Sequence, residues 1–130
     1  MNDRYLYRAK RTDNGEFIEG LLTIMWGQLH IINPDDENTA YPIDESTICQ
    51  CTGLKDKHGK LIWEDDILVG YLDDMYPENA TYAQVIWDKN GFYTKEKYSD
   101  DISLMDEFDE KYFEVCGNIF DNPELLEVGL

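Results

Sequence analysis

Two runs, Tyr5-Leu6-Tyr7-Arg8-Ala9-Lys10 and Glu16-Phe17-Ile18-Glu19, joined through Asp13-Asn14-Gly15, decide the fold. In extended chain successive side chains point to opposite faces. Tyr5, Tyr7 and Ala9 therefore share one face and Arg8 and Lys10 the other, as in a half-buried strand. Asn14-Gly15 accepts positive φ at both central positions of a tight hairpin, and Glu16 to Glu19 supplies the return strand.

The same grammar continues outward. Apolar runs Leu21 to Trp26 and Gln28 to Ile32 are punctuated by Gly20, Gly27 and the polar loop Asn33-Pro34-Asp35-Asp36-Glu37-Asn38, which is expected to divide two modules. From Ser46 the chain is again β: Thr47 to Thr52 is rich in β-branched and thiol side chains, and Lys57-His58-Gly59-Lys60 turns it into Leu61-Ile62-Trp63. Asp66 to Tyr71 reads as a core strand. After a polar insert from Asp73 to Asn79, Tyr82 to Trp87 and Phe92-Tyr93-Thr94 flank a second Asn-Gly pair, Asn90-Gly91. Ile102, Leu104, Met105 and Phe108 are spaced for one or two helical turns. Tyr112 to Cys116 is a last strand, and Asn122-Pro123-Glu124 carries the N-cap, first-turn Pro and early Glu of a short terminal helix. Many short strands with turns about every ten residues predict a mainly β fold of small barrel-like modules of antiparallel strands with a short C-terminal helix. The expected division is an N-terminal β module over 1–45 and a C-terminal barrel-like module over 46–130, with one continuous domain as the alternative.

Composition agrees with a folded chain: 130 residues, 42% hydrophobic and 13% aromatic, are enough for a real core. The 28 acids against 11 bases give a charge of −17, unevenly spread. Residues 1–65 carry seven bases and twelve acids, −5, whereas residues 66–130 carry four bases and sixteen acids, −12. Such a field repels nucleic-acid phosphates and anionic lipid and attracts basic proteins, so neither direct nucleic-acid nor membrane binding is expected. The island Arg4, Arg8, Lys10, Arg11 reads as ordinary solvated cations on a strand face. Without a secretory signal, a membrane-length apolar run or an even cysteine count, the expected setting is the cytoplasm with reduced thiols.

Motifs that carry chemistry are sparse. Cys49-Gln50-Cys51 with His58 and Cys116 lacks the paired spacing of structural zinc and reads as small side chains packed in a sheet. His30 lies inside an apolar strand and His58 in a Lys-rich turn, neither beside a nucleophile. The glycines stand singly at turns rather than in a phosphate-binding loop. Acid pairs abound without the spacing of a calcium loop. No catalytic residue, metal ligand or cofactor is therefore expected, and a small enzyme ranks last among the functional classes.

Two segments go beyond generic β pattern: Gln50-Cys51-Thr52-Gly53-Leu54-Lys55-Asp56 with the following Gly turn and Leu61-Ile62-Trp63-Glu64-Asp65-Asp66-Ile67, and Glu114-Val115-Cys116-Gly117-Asn118-Ile119-Phe120-Asp121-Asn122-Pro123-Glu124-Leu125-Leu126. Together, and with the weaker Tyr7-Arg8-Ala9, they resemble the YopX protein family of bacteriophages and prophages. The resemblance covers the scaffold of most of the chain and implies no catalytic residues. One departure is informative. Members often place Gly where Asp65 stands here, and Asp tolerates a left-handed backbone better than most residues.

The matched residues are turn formers and core apolars, so function is expected on the poorly patterned acidic segments: Asp73, Asp74, Asp100, Asp101, Asp106, Glu107, Asp109 and Glu110. The leading expectation is a phage accessory protein that presents these acids to a basic host or phage protein. A homo-oligomeric structural or assembly protein is the alternative, and a DNA mimic ranks lower.

Overall fold

The computed structural model describes residues 5–33, 39–71, 80–88, 91–99 and 101–127. The chain is mainly β, its described strand registers are antiparallel, and it forms two compact units, Met1–Gly53 and Leu54–Leu130. The division therefore falls at Gly53, not after residue 45, for a simple reason. The strand that follows residue 45 returns to the first: β5 (Cys49–Lys55) pairs β1 (Tyr7–Lys10) at Tyr7↔Gln50 and Arg8↔Cys49. Nor does the loop after Asn33 separate modules, since β4 (Ala40–Pro42) pairs β3 (Gln28–Ile32) on its far side.

In the first unit β2 (Phe17–Met25) is long enough to pair β1 with its first half and β3 with its second, giving the order β4-β3-β2-β1-β5. Its core is Ala9, Ile31 and Ile43, with Ile18, Leu22, Leu29 and Ile48 packed around them. The β1–β2 hairpin is wider than the Asn-Gly pair suggests. The Arg11 N–H bonds the Glu16 carbonyl to close a four-residue loop in which the Arg11 carbonyl accepts the Gly15 N–H, Gly15 alone takes positive φ (71°), and the Asn14 side chain accepts the Glu16 N–H. The two-residue turn with positive φ at both positions belongs to Trp26-Gly27, between β2 and β3, so Trp26 is a turn residue and not the end of a strand. The cations of β1 are not simply solvated either. Arg8 is buried with its guanidinium 4.7 Å from the Phe17 ring centroid, and Lys10 Nζ lies 5.3 Å from the same ring.

The second unit opens with Leu54 and Lys55, the tail of β5, and turns through Asp56 to Lys60 into β6 (Leu61–Trp63). Its main sheet has the order β10-β9-β8-β7-β11, from β7 (Asp66–Tyr71), β8 (Ala80–Asp88), β9 (Gly91–Glu96), β10 (Ile102–Leu104) and β11 (Phe113–Asn118). The hairpin expected at Asn90-Gly91 joins β8 to β9, with Asp88 paired to Gly91, although Asn90 lies outside the described residues. A short helix, α1 (Glu107–Tyr112), connects the edge strand β10 to β11. Ile62, Leu68, Val85, Phe92, Met105 and Phe113 form the core. The Phe113 ring occupies the space above its cross-strand partner Gly70, where a Cβ would approach Cε1 to 2.6 Å. Along β11 the register jumps at Cys116, an extra bulged residue left exposed at the sheet edge.

The terminal helix expected from Asn122 is a single 3₁₀ turn, Pro123–Leu126, and Asn122 does not cap it. Its side chain folds back over Gly117 and accepts the Asn118 N–H at 3.3 Å, a position that a Cβ on Gly117 would invade at 2.5 Å.

Candidate functional site

The residues that stand out in the sequence do structural work at turns. Asp56 is 6% exposed, and its carboxylate accepts three backbone N–H groups: His58 and Lys60 on Oδ1 and Val115 on Oδ2, each at 2.9 Å. Burial pushes this carboxyl up, but the three donors overcome it and hold the group below its ordinary value. Asp56 thereby ties the β5–β6 turn to β11, and His58 Nε2, 2.7 Å from Glu114 Oε2, adds an exposed second tie. Asp65 adopts φ 68°, the left-handed conformation that the family resemblance implies at this position, while Oδ1 accepts the Gln84 amide at 3.1 Å. The buried Asp66 accepts the Trp63 N–H at 2.8 Å and closes the β6–β7 turn. In Gly117-Asn118, Asn118 Oδ1 accepts the N–H groups of both Phe120 and Asp121.

The thiols and histidines are similarly placed. Cys49 Sγ points at the Thr47 carbonyl (3.3 Å) and Cys116 Sγ at the Ile67 carbonyl (3.4 Å), with burial raising the Cys116 thiol. Among the described residues no group of three His, Cys, Asp or Glu converges around a metal-sized point.

The eight acidic candidates separate into three sets. Asp73, Asp74 and Asp100 lie outside the described residues. Asp101, Asp106 and Glu107 are exposed, on the approach to β10 and at the start of α1. Asp109 is buried and Glu110 half-buried. Glu110 Oε1 accepts the Lys55 N–H at 3.1 Å. Asp109, 7% exposed, reaches back to accept the Asp106 N–H at 2.9 Å while its own N–H bonds the Asp106 carbonyl, a reciprocal pair that starts the helix. Burial raises the Asp109 carboxyl, the Asp106 N–H opposes this, and the Asp106 charge adds to the rise.

Beside this pair lies a cleft of about 300 Å³ between β8, β9, β10, α1 and β11, which no sequence motif announces. Its lining combines carboxylates (Asp106, Asp109, Glu96), hydroxyls (Thr94, Ser103) and the apolar Leu104 and Phe113. Such a donor-poor, acceptor-rich hollow suits N–H donors and cations. The only sequence signal for it is Thr94 on the inward face of β9, next but one to the core residue Phe92.

Two apolar features accompany the acids. Trp26 is 88% exposed at its strained turn, with Ile24 exposed beside it, and Leu104 is 62% exposed on the edge strand β10.

Comparison with known proteins places this geometry. The sequence profile of the YopX protein family matches residues 6–127. The crystal structure of protein EF1440 from Enterococcus faecalis is similar, with a TM-score of 0.60 and 26% identity over 93% of this chain and 96% of that one. No curated protein matches the sequence. Among the described residues no helix is long and apolar enough to cross a membrane.

Proposed function

The chain belongs to the YopX protein family, and from that premise we propose that it is a non-enzymatic phage or prophage accessory protein, acting in the bacterial cytoplasm by binding a basic protein through its acidic second unit. The observation that carries this reading is the charge of Leu54–Leu130, seven bases against nineteen acids, −12, with Asp101, Asp106 and Glu107 exposed on neighbouring segments. Complementary charge speeds encounter and makes it salt-dependent. The test is capture from host lysate on the immobilised protein at about 0.05 M and about 0.5 M salt, above which screening confines exposed-charge attraction to a few ångströms. The expected result is retention of a basic protein at low salt only, weakened several-fold by Asp101→Asn with Glu107→Gln. Retention unaffected by salt and by both substitutions would refute the reading. Displacement of the captured protein by duplex DNA would favour the DNA-mimic form of the same idea.

A second reading, self-assembly, draws on the exposed Trp26, Ile24 and Leu104. Light scattering separates the two, because an apolar assembly persists at high salt.

A further inference from the structure

The turn that ends β9 has a backbone that its sequence does not favour. The Ser99 N–H bonds the Glu96 carbonyl at 3.1 Å, and Tyr98, third of the four turn residues, takes φ 72° while Lys97 keeps negative φ. This is the pattern of a type II turn, whose third position belongs to glycine. A tyrosine there strains the backbone, and its ring, 75% exposed, gains little from burial. Strain that no packing offsets marks a side chain kept for what it presents to solvent.

Lys97 and Tyr98 border two hollows. One, of about 310 Å³, lies between the β8–β9 face carrying the paired Gln84 and Lys95 and Leu126 of the terminal 3₁₀ turn, with Ser99 on its wall. The other, of about 320 Å³, reaches from the same turn to Tyr82 and Ala80. Lys97 Nζ sits 5.9 Å from the Tyr82 ring centroid and 5.4 Å from that of Tyr98, which keeps the ammonium at the junction. Neither Lys95 nor Lys97 makes an ion pair among the described residues, although the unit carries nineteen acids. Glu96 is the single carboxylate among the described residues lining either hollow. Ser99 Oγ already accepts the Asp101 N–H at 3.1 Å, so its O–H remains to donate. Gln84 gives its amide nitrogen to Asp65 Oδ1 and keeps its carbonyl oxygen as an acceptor.

Two ammoniums and a hydroxyl beside an exposed ring and an amide carbonyl match an anion joined to a flat ring that carries N–H or O–H donors. A nucleotide has this composition. Lysine receives phosphate as a point charge, and a base stacks on an aromatic ring whichever base it is. The acidity of the unit opposes a long polyanion far more than one phosphate, and the hollows lie at the small end of ligand sites. Both considerations limit the ligand to a single nucleotide.

We propose that the Lys97–Tyr98 turn is a binding site for a nucleoside monophosphate, with Lys95, Lys97 and Ser99 holding the phosphate and Tyr98 stacking on the base. Gln84 accepts from a ribose hydroxyl or a base N–H. The site does not depend on the reading of the acidic segments as a protein-binding surface.

The test is amide NMR of the full-length, isotope-labelled protein titrated with adenosine monophosphate, adenosine, inorganic phosphate and a short oligothymidylate. The monophosphate is expected to shift the amides of Gln84, Lys95, Lys97, Tyr98 and Ser99 saturably. It should bind about tenfold more tightly than adenosine, which lacks the charge-assisted bonds, and about tenfold more tightly than phosphate, which lacks the stacking base. Tyr98→Gly relieves the backbone and so stays folded, yet is expected to weaken monophosphate binding about tenfold, to the level of phosphate, while Tyr98→Phe keeps it. Lys95→Gln with Lys97→Gln should remove the preference for the monophosphate over adenosine. No saturable shift at this turn, adenosine bound as tightly as its monophosphate, or wild-type affinity in Tyr98→Gly would overturn the proposal. So would tighter binding of the oligothymidylate, which would make the turn a contact for single strands.

Discussion

Replacing Asp56 removes the acceptor that holds the β5–β6 turn to β11. Asp56→Ala leaves three N–H groups, those of His58, Lys60 and Val115, without their 2.9 Å partner. Hydrogen bonds to a charged acceptor contribute about 1.5–3 kcal/mol each, but relief of the buried carboxylate's desolvation and rehydration of the turn amides offset part of the loss, so a net cost of about 3–4 kcal/mol is expected. Asp56→Asn keeps one oxygen for His58 and Lys60 and turns an amide N–H₂ toward the Val115 N–H, so about half that cost is expected. The pH dependence has a defined sign. Because the folded-state carboxyl is held below its ordinary value, its contribution is complete above the unfolded-state pKa of about 3.9 and is lost as pH falls through the folded-state value. The gap between wild type and Asp56→Asn should therefore be widest near neutral pH and close in acid. Urea unfolding followed by Trp fluorescence measures it, since Trp63, only 2% exposed and in the same unit, reports loss of that core. A cost below about 1 kcal/mol for Asp56→Ala, or a gap that widens on acidification, would refute the reasoning.

Three further outcomes follow from the same geometry. Gly70→Ala drives a methyl to 2.6 Å from the Phe113 ring and should cost about 1–3 kcal/mol in thermal or urea unfolding, with part of the loss recovered in the double variant with Phe113→Leu. At Asp65, φ 68° predicts that Asp65→Val costs about 2 kcal/mol or more while Asp65→Gly stays within about 1 kcal/mol of wild type, the lost Gln84 bond and the relieved backbone nearly cancelling. Asp109→Asn should leave stability unchanged or raise it by up to about 1 kcal/mol near neutral pH, because burial raises the native carboxyl above its ordinary value and penalises the charged form. That difference should vanish as pH falls below the ordinary carboxylate range, opposite in sign to Asp56 and measurable in the same melts.

The acidic segment shows why the candidate site was only half legible. Asp106, Glu107, Asp109 and Glu110 are indistinguishable as a run of acids. One short helix sorts them, leaving Asp106 and Glu107 exposed and turning Asp109 and Glu110 toward backbone donors. Charge count sees composition, whereas burial depends on helical phase and on where the preceding strand ends. Likewise Asn14-Gly15 signals a hairpin, yet Trp26-Gly27, with no such signature, makes the tighter turn, because strand pairing on both sides of it imposes the backbone that the side chain alone disfavours.

Local chemistry was enough for the rest. Period-two alternation and turn residues every ten or so positions specify short antiparallel strands, and the family resemblance, which puts Gly where Asp65 stands, marks a left-handed position there. These properties depend on neighbours a few residues away. The return of β5 to β1, which moves the boundary to Gly53, the packing of Arg8 on Phe17, and the cleft that gathers Thr94, Ser103, Asp109 and Phe113 from four separate elements were decided only by the tertiary structure. Each brings together residues distant in the chain, and which distant strands pair is set by burial of the whole core rather than by any local pattern.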